Sequence, residues 1–374
     1  MISIAVASPD RHAYSQTFVH QQVAGLPFKV HLLYGGNLPT HHALGDACPG
    51  FAFPGENADP WVRVQSMAAY LAEHQIAVVL AEFGPTGVEM MPVCAEAGVP
   101  LLVHFHGYDA WRNDVLASYG RRYPAMFQQA HAVIGVSREM CRQLTALGAP
   151  AHRVHHVPYG VDTRRFTGGD PAAAAPDFLM VGRQVDKKGH LLALMAFADL
   201  AQAQSKATLR IVGGGPLREA GEMLAQALGI ADRVRWLGVL PPDAVARELR
   251  LSRALIQFSH TTPSGDREGT PVAMLEAMAC GVPVIGARHA GILDVIEDEV
   301  HGLLVDPFDV RALAHALGRL ASQPALAARL GQAAAVLIRG HYTQDRYIHQ
   351  LSQLIESAMP QSNPTALVNR AQHA

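Results

Sequence analysis

Short apolar runs alternate with amphipathic stretches of helical period along almost the whole chain. In the first half the runs lie at 2–7, 30–34, 77–80, 101–104, 132–136 and 154–157, with helix-like segments such as 61–73 and 138–147 between them. In the second half they lie at 178–181, 209–212, 234–237, 254–258, 282–285 and 302–305. Each of these is followed by a helical pattern, as at 191–203 and 217–228. This is the rhythm of βα units on parallel sheets. It predicts an α/β fold of two Rossmann-like, doubly wound domains.

The stretch 158–176 is dominated by Pro, Gly and Ala, as a linker between folding units would be. The predicted domains are therefore 1–163 and 164–345, followed at 346–374 by a helix that packs back toward the first domain and a polar tail from Gln361. Two such domains face each other across a cleft. Ligands bind outside the carboxyl ends of the strands in sheets of this kind, so the cleft is where chemistry is expected.

Composition narrows the function classes. The 374 residues are 49% hydrophobic and 17% charged, which supports a large core, and a net charge of −2 argues against nucleic acid as a partner. No apolar run approaches the roughly 20 residues of a membrane span. The N-terminus reads as a first strand rather than a signal peptide, which predicts a cytoplasmic chain. Cys48, Cys94, Cys141 and Cys280 stand alone, and the histidines have no partners at ligand spacing, so no metal site is expected. Lysine occurs only at 29, 187, 188 and 206, which makes the pair Lys187-Lys188 stand out.

Four segments carry candidate chemistry. Gly182-Arg-Gln-Val-Asp-Lys-Lys-Gly189 places Arg183, Lys187 and Lys188 at a strand's carboxyl end, where a forked guanidinium and a mobile ammonium suit phosphate oxygens. The turn Gly213-Gly214-Gly215-Pro216 permits close backbone approach, but Arg218 stands where a dinucleotide fingerprint needs its third glycine. The stretch 264–283 is the most specific. Glu268 lies in its polar loop, Gly269 and Thr270 follow, Pro271 suits the first helical position, and Glu276 falls in an otherwise apolar helix. Backbone at Gly269–Thr270, at a helix N-terminus, would hold a phosphate, while Glu268 and Glu276 would accept sugar or ribose hydroxyls. Glu276 is costly to bury without a partner. In the first half, Leu101-Leu-Val-His-Phe-His-Gly-Tyr-Asp109 sets His106 at a strand's carboxyl end, facing the cleft. Taken singly, each segment also fits a solvated helix start, a tight turn, a surface glutamate or a core histidine.

Taken together, these residues resemble the retaining nucleotide-sugar glycosyltransferases of glycosyltransferase family 4, which have the GT-B fold. The family's paired glutamates, with seven residues between them, match Glu268 and Glu276. Its basic loop matches Gly182-Arg183 through Lys188-Gly189, and its glycine turn matches Ile211 to Leu217. Its His-Gly-x-Asp turn matches His106 to Asp109, and the end of its first domain matches Val136-Ser137 and Pro158 to Asp162. The Ser15-Gln-Thr-Phe18 segment is similar to bacterial exopolysaccharide members of the colanic-acid type. Two departures stand out: the turn after the first strand reads Pro9-Asp-Arg-His-Ala-Tyr-Ser-Gln-Thr17 instead of glycine-rich, and Gly291-Ile-Leu-Asp294 replaces the usual G-x-P-E.

The resemblance implies an N-terminal acceptor domain and a C-terminal donor domain. It implies that Arg183 and Lys188 neutralise the leaving diphosphate, with Gly213, Gly214, Gly269, Thr270 and Pro271 around it. Glu276 would hold the ribose, Glu268 the transferred sugar, and His106 the reacting sugar from the opposite domain. The donor would be UDP- or GDP-linked and is a substrate; no cofactor or metal is implied. The acceptor would be a sugar or a lipid-linked hydroxyl, and the latter would need a peripheral contact at the inner face of the membrane. Arg112 and Arg121-Arg122, flanking Tyr119 and Tyr123, are the candidate residues for that contact, although a plain solvated helix face is the favoured reading of this segment. A nucleotide-sugar epimerase of the same architecture and a non-catalytic nucleotide-sugar-binding subunit remain alternatives. The oligomeric state is not legible.

Overall fold

The structure, a computed structural model, describes residues 1–10, 17–44 and 52–359. Most of the turn at 9–17, including Ser15 and Gln16, lies outside the described residues, as do Cys48 and the tail from Gln361. The first sheet holds β1 (Ser3–Ala7), β2 (Lys29–Tyr34), β3 (His41–Leu44), β4 (Ile76–Glu82), β5 (Leu101–Phe105), β6 (Ala132–Gly135) and β7 (Val154–His156). The second holds β8 (Asp177–Val181), β9 (Thr208–Val212), β10 (Val234–Gly238), β11 (Ala254–Gln257), β12 (Val284–Ala287) and β13 (Gly302–Val305). Their orders are β3-β2-β1-β4-β5-β6-β7 and β10-β9-β8-β11-β12-β13.

All neighbouring pairs are parallel except β2 with β3. Helices cover both faces of such sheets, so the strands read as continuous apolar runs; Val78, Val79, Leu80 and Ala81 are all fully buried. The antiparallel edge strand β3 was not legible in the sequence. Its His-His-Ala-Leu buries only Ala43, too little for a two-residue period to register.

In both sheets the chain reverses its winding direction beside the first strand laid down, between β1 and β4 and between β8 and β11. The carboxyl ends of these strands form the crevice where ligands bind in doubly wound folds. The chain crosses between sheets twice, and the crossings touch. Val161 N–H donates to Tyr342 O and Gln344 N–H to Val161 O, both at 2.9 Å. The helix Gln344–Ala358, capped by the Thr343 hydroxyl, then buries Tyr347, Leu351 and Ile355, and the Tyr347 hydroxyl accepts from Gln22 Nε2 at 2.7 Å.

Candidate active site in the cleft

The second sheet contributes two interlocked turns. Gln184 donates from its backbone N–H to Gly214 O at 2.8 Å and from its side-chain amide to Gly213 O at 2.9 Å. A Cβ on Gly213 would lie 2.0 Å from Gly182 O, so this glycine is required by backbone packing against the basic turn. Arg183 remains exposed at its lip.

The adjacent lysines both hold the loop that follows β11. Lys187, almost buried, donates to Asp266 Oδ1 at 2.9 Å and to Arg267 O at 3.3 Å. Lys188 pairs with Glu268 Oε1 at 2.8 Å. Ser259 Oγ, itself held by Gln257 Nε2 at 2.6 Å, approaches the same carboxylate at 3.4 Å. Burial works to raise the Glu268 pKa, but the Lys188 and Lys187 ammonium groups overcome it and hold the carboxyl at about 2.

Glu276 follows in the helix Val272–Ala279, which begins one residue later than the sequence suggests because Pro271 is its N-cap. Among the described residues its carboxylate has no hydrogen-bond partner. Burial pushes its pKa up to about 7, with Arg165 offsetting only part of the effect. The loop and the helix after it thus present one carboxylate locked in the charged form and one half-buried without a protein partner.

The cleft is closed over this loop. A Cβ on Gly269 would lie 2.4 Å from His106 O, and the buried Thr270 hydroxyl donates to Val136 O at 2.7 Å. Thr270 Oγ1 is therefore committed across the cleft rather than free for a phosphate. Arg267 reaches Glu139 at 2.7 Å and lies 4.9 Å over the Trp111 ring, while Asn113 N–H donates to Ser264 O at 2.8 Å. Asp294, where the family pattern departs, accepts from Arg138 N–H at 2.6 Å, at the start of the helix Arg138–Ala146.

His106 stands at the carboxyl end of β5, and the protein engages both nitrogens of its imidazole. Its side chain is only 4% exposed, with Nε2 2.5 Å from Glu82 Oε2 and Nδ1 on the Tyr159 hydroxyl. Glu82 is fully buried at the end of β4, in register with His104. Asp109 sets the backbone of the turn by accepting from Gly107 N–H at 2.8 Å, His106 N–H at 3.0 Å and Gly84 N–H at 3.2 Å. Burial raises the Asp109 pKa to about 6, less than it otherwise would because these N–H groups favour the anion.

Sequence reasoning missed Glu82, Tyr159, Gln257 and Ser259. A signal existed for Glu82, a carboxylate closing a strand that is otherwise apolar. Among the described residues, Glu82, His104 and His106 form the one grouping whose donor atoms, within 4.8 Å of one another, could hold a metal ion. Hydrogen bonds within the grouping account for the same geometry.

The cations proposed for a membrane contact are mostly committed. Arg112 pairs with Asp114 at 2.6 Å, Arg122 pairs with Glu89 at 2.7 Å, and Tyr123 is fully buried. No helix among the described residues is long and apolar enough to cross a membrane.

Two doubly wound sheets thus face a cleft, with a basic turn and a glutamate pair at the second switch point. The family model "Glycosyltransferase Family 4" matches residues 18–165, and "Glycosyl transferases group 1" matches residues 170–336. The chain belongs to this family of GT-B glycosyltransferases.

It is 32% identical over 245 residues to the putative colanic acid biosynthesis glycosyltransferase WcaL of Escherichia coli K12, covering 64% of this chain and 60% of that one. It is 30% identical to a GDP-mannose-dependent alpha-(1-6)-phosphatidylinositol monomannoside mannosyltransferase of Mycolicibacterium smegmatis, covering 71% and 73%. The alignments span about three fifths of the length of the first curated relatives it matches. Anabaena Alr3699/HepE, solved with UDP and glucose, shares the fold at a TM-score of 0.76 and 16% identity, covering 96% of this chain and all of that one.

Proposed function

We propose that this chain is a retaining, metal-independent hexosyltransferase. It moves a sugar from a UDP- or GDP-linked donor to a sugar or lipid-linked acceptor hydroxyl, in bacterial polysaccharide or glycolipid synthesis at the cytoplasmic face of the membrane. Residues 1–163 serve as the acceptor domain and 164–345 as the donor domain, with 346–374 returning to the first. The observation that carries the reading is the Lys188–Glu268 pair beside the unpartnered Glu276 at the second switch point.

An ammonium has three donors, and Glu268 takes one of those on Lys188. The others are free for the diphosphate, with Arg183 closing from the lip. Gly213 and Gly214 form the floor of this anion site, and Gly269, Thr270 and Pro271 lie at the helix start behind it. The ribose hydroxyls satisfy Glu276, and Glu268 accepts from the hydroxyls of the transferred sugar. Charge building on the leaving diphosphate meets cations already in place, so little reorganisation is needed. The departing phosphate takes the acceptor proton on the face where the new bond forms, which retains configuration. The turn at His106 closes the opposite side.

The test is calorimetric titration with UDP, GDP, ADP and NAD in the native chain and Arg183→Ala, followed by product analysis with UDP-glucose and GDP-mannose. One nucleoside diphosphate should bind, more weakly in the variant, and a matching donor should lose its sugar. Binding without turnover would favour the non-catalytic subunit, an epimer without an acceptor would favour the epimerase, and preference for NAD would overturn the site.

A further inference from the structure

Glu82 is a buried carboxylate that no lysine or arginine approaches among the described residues. Its neighbours are His106 Nε2 at 2.5 Å and His104 Nδ1 at 3.4 Å, and all three side chains are almost completely buried. Glu82 Oε1, His104 Nε2 and Gln22 Oε1 have no hydrogen-bond partner. Such a group is a liability to the core, and an apolar side chain of similar size would be neutral or stabilising there. Departures of this kind concentrate where function constrains the residue.

The surroundings give the cluster a direction. An ionised carboxylate can only accept, so His106 must carry its proton on Nε2. Nδ1 then accepts from the Tyr159 hydroxyl, and Phe18 stacks on the imidazole at 4.2 Å. Tyr159 lies in the first chain crossing. Gln22 Nε2 donates to the hydroxyl of Tyr347, which stands just after the second crossing. Through His106 and Tyr159, the carboxylate therefore ties the His106 turn to the first crossing.

We infer that Glu82 is a positioning residue for the His106 turn: it fixes the Nε2–H tautomer, aims Nδ1 at Tyr159, and so seats the His106–Gly107 backbone against the loop that carries Glu268. The inference rests on the reading that this turn belongs to the transfer site. Glu82 acts through His106 and touches no substrate.

The test compares imidazole ¹H–¹⁵N correlation spectra of the native chain, Glu82→Gln and Tyr159→Phe, with UDP and GDP titrations and donor turnover on the same samples. The native chain should show His106 as a single Nε2–H tautomer. Tyr159→Phe should keep that tautomer, whereas Glu82→Gln, whose amide donates as well as accepts, should no longer hold His106 in that single form. In Glu82→Gln, nucleoside-diphosphate affinity should stay within about twofold while turnover falls roughly 10²-fold, the scale expected when reacting groups are misplaced by an ångström.

An Nδ1–H tautomer in the native chain overturns the proposal even if Glu82→Gln fails to fold. An unchanged His106 signal with unchanged turnover in Glu82→Gln also overturns it. If the native chain turns over no donor, the transfer reading falls, and the tautomer comparison still decides the role of Glu82.

Discussion

Glu268 and Glu276 share a residue type and lie on one continuous stretch of chain, yet their surroundings drive them apart. Two lysines from the neighbouring turn hold Glu268 ionised, at about 2, whereas burial without a hydrogen-bond partner pushes Glu276 to about 7. A carboxylate already paired by the protein belongs to a prebuilt geometry. One that is half-buried and has no protein partner is open to a ligand, and ribose hydroxyls fit that place. In the proposed reading the same turn that braces Glu268 also supplies the cations for the diphosphate, which would make brace and site one structure.

The sharpest way to break this contrast is to remove the brace. Lys188→Ala leaves Glu268 buried without its closest counter-charge and should destabilise the fold by about 3–5 kcal/mol in denaturant unfolding, with Lys188→Ala/Glu268→Gln recovering part of the loss. Full stability in Lys188→Ala would mean that the pair does not hold the loop. Glu268→Gln alone should reduce transfer by roughly 10²–10³-fold, the cost of losing one preorganised contact, while UDP or GDP affinity stays within about twofold.

Glu276→Gln should do the reverse, weakening nucleoside-diphosphate binding by about 1.5–3 kcal/mol, the worth of hydrogen bonds to a charged group. The two glutamates should also differ in sign with pH. Glu268 has a depressed folded pKa, so its contribution is present above about 4.5 and lost as pH falls toward 2. Glu276 has a raised one, so its relative stability is lost as pH rises from about 4.5 through 7. Melting curves should therefore show Glu276→Gln gaining on the native chain between pH 5 and 8. A constant difference would remove the claim that burial raises the Glu276 pKa. The smallest effect is expected at Asp294→Ala, about 1 kcal/mol for a lost acceptor at a helix start, read by unfolding.

The fold was largely legible because parallel strands buried on both faces announce themselves as short apolar runs, and twelve of them did. β3 did not, since one buried alanine in four residues makes no pattern. In the site, chain-local features were readable: the basic turn, the glutamate pair and the glycines lie close together in sequence. Features that depend on distant segments were not. Nothing near His106 in sequence shows that Glu82 would engage its Nε2, or that Tyr159 would meet its Nδ1 from the linker. Nor does the local sequence show that the Thr270 hydroxyl would reach Val136 O in the opposite domain. Glycine 213 was legible as a turn, but its reason, the carbonyl of Gly182 from the neighbouring strand, belongs to the packing.

The most direct test is the affinity of UDP and GDP measured by calorimetry from pH 5.5 to 8.5, in the native chain and in Glu276→Gln. The diphosphate's own ionisation acts equally on both proteins, so the difference between the curves isolates the side chain. The account predicts that native affinity gains on the variant as pH rises through about 7, because the ionised carboxylate is the form that accepts ribose hydroxyls. Parallel curves at every pH would contradict it.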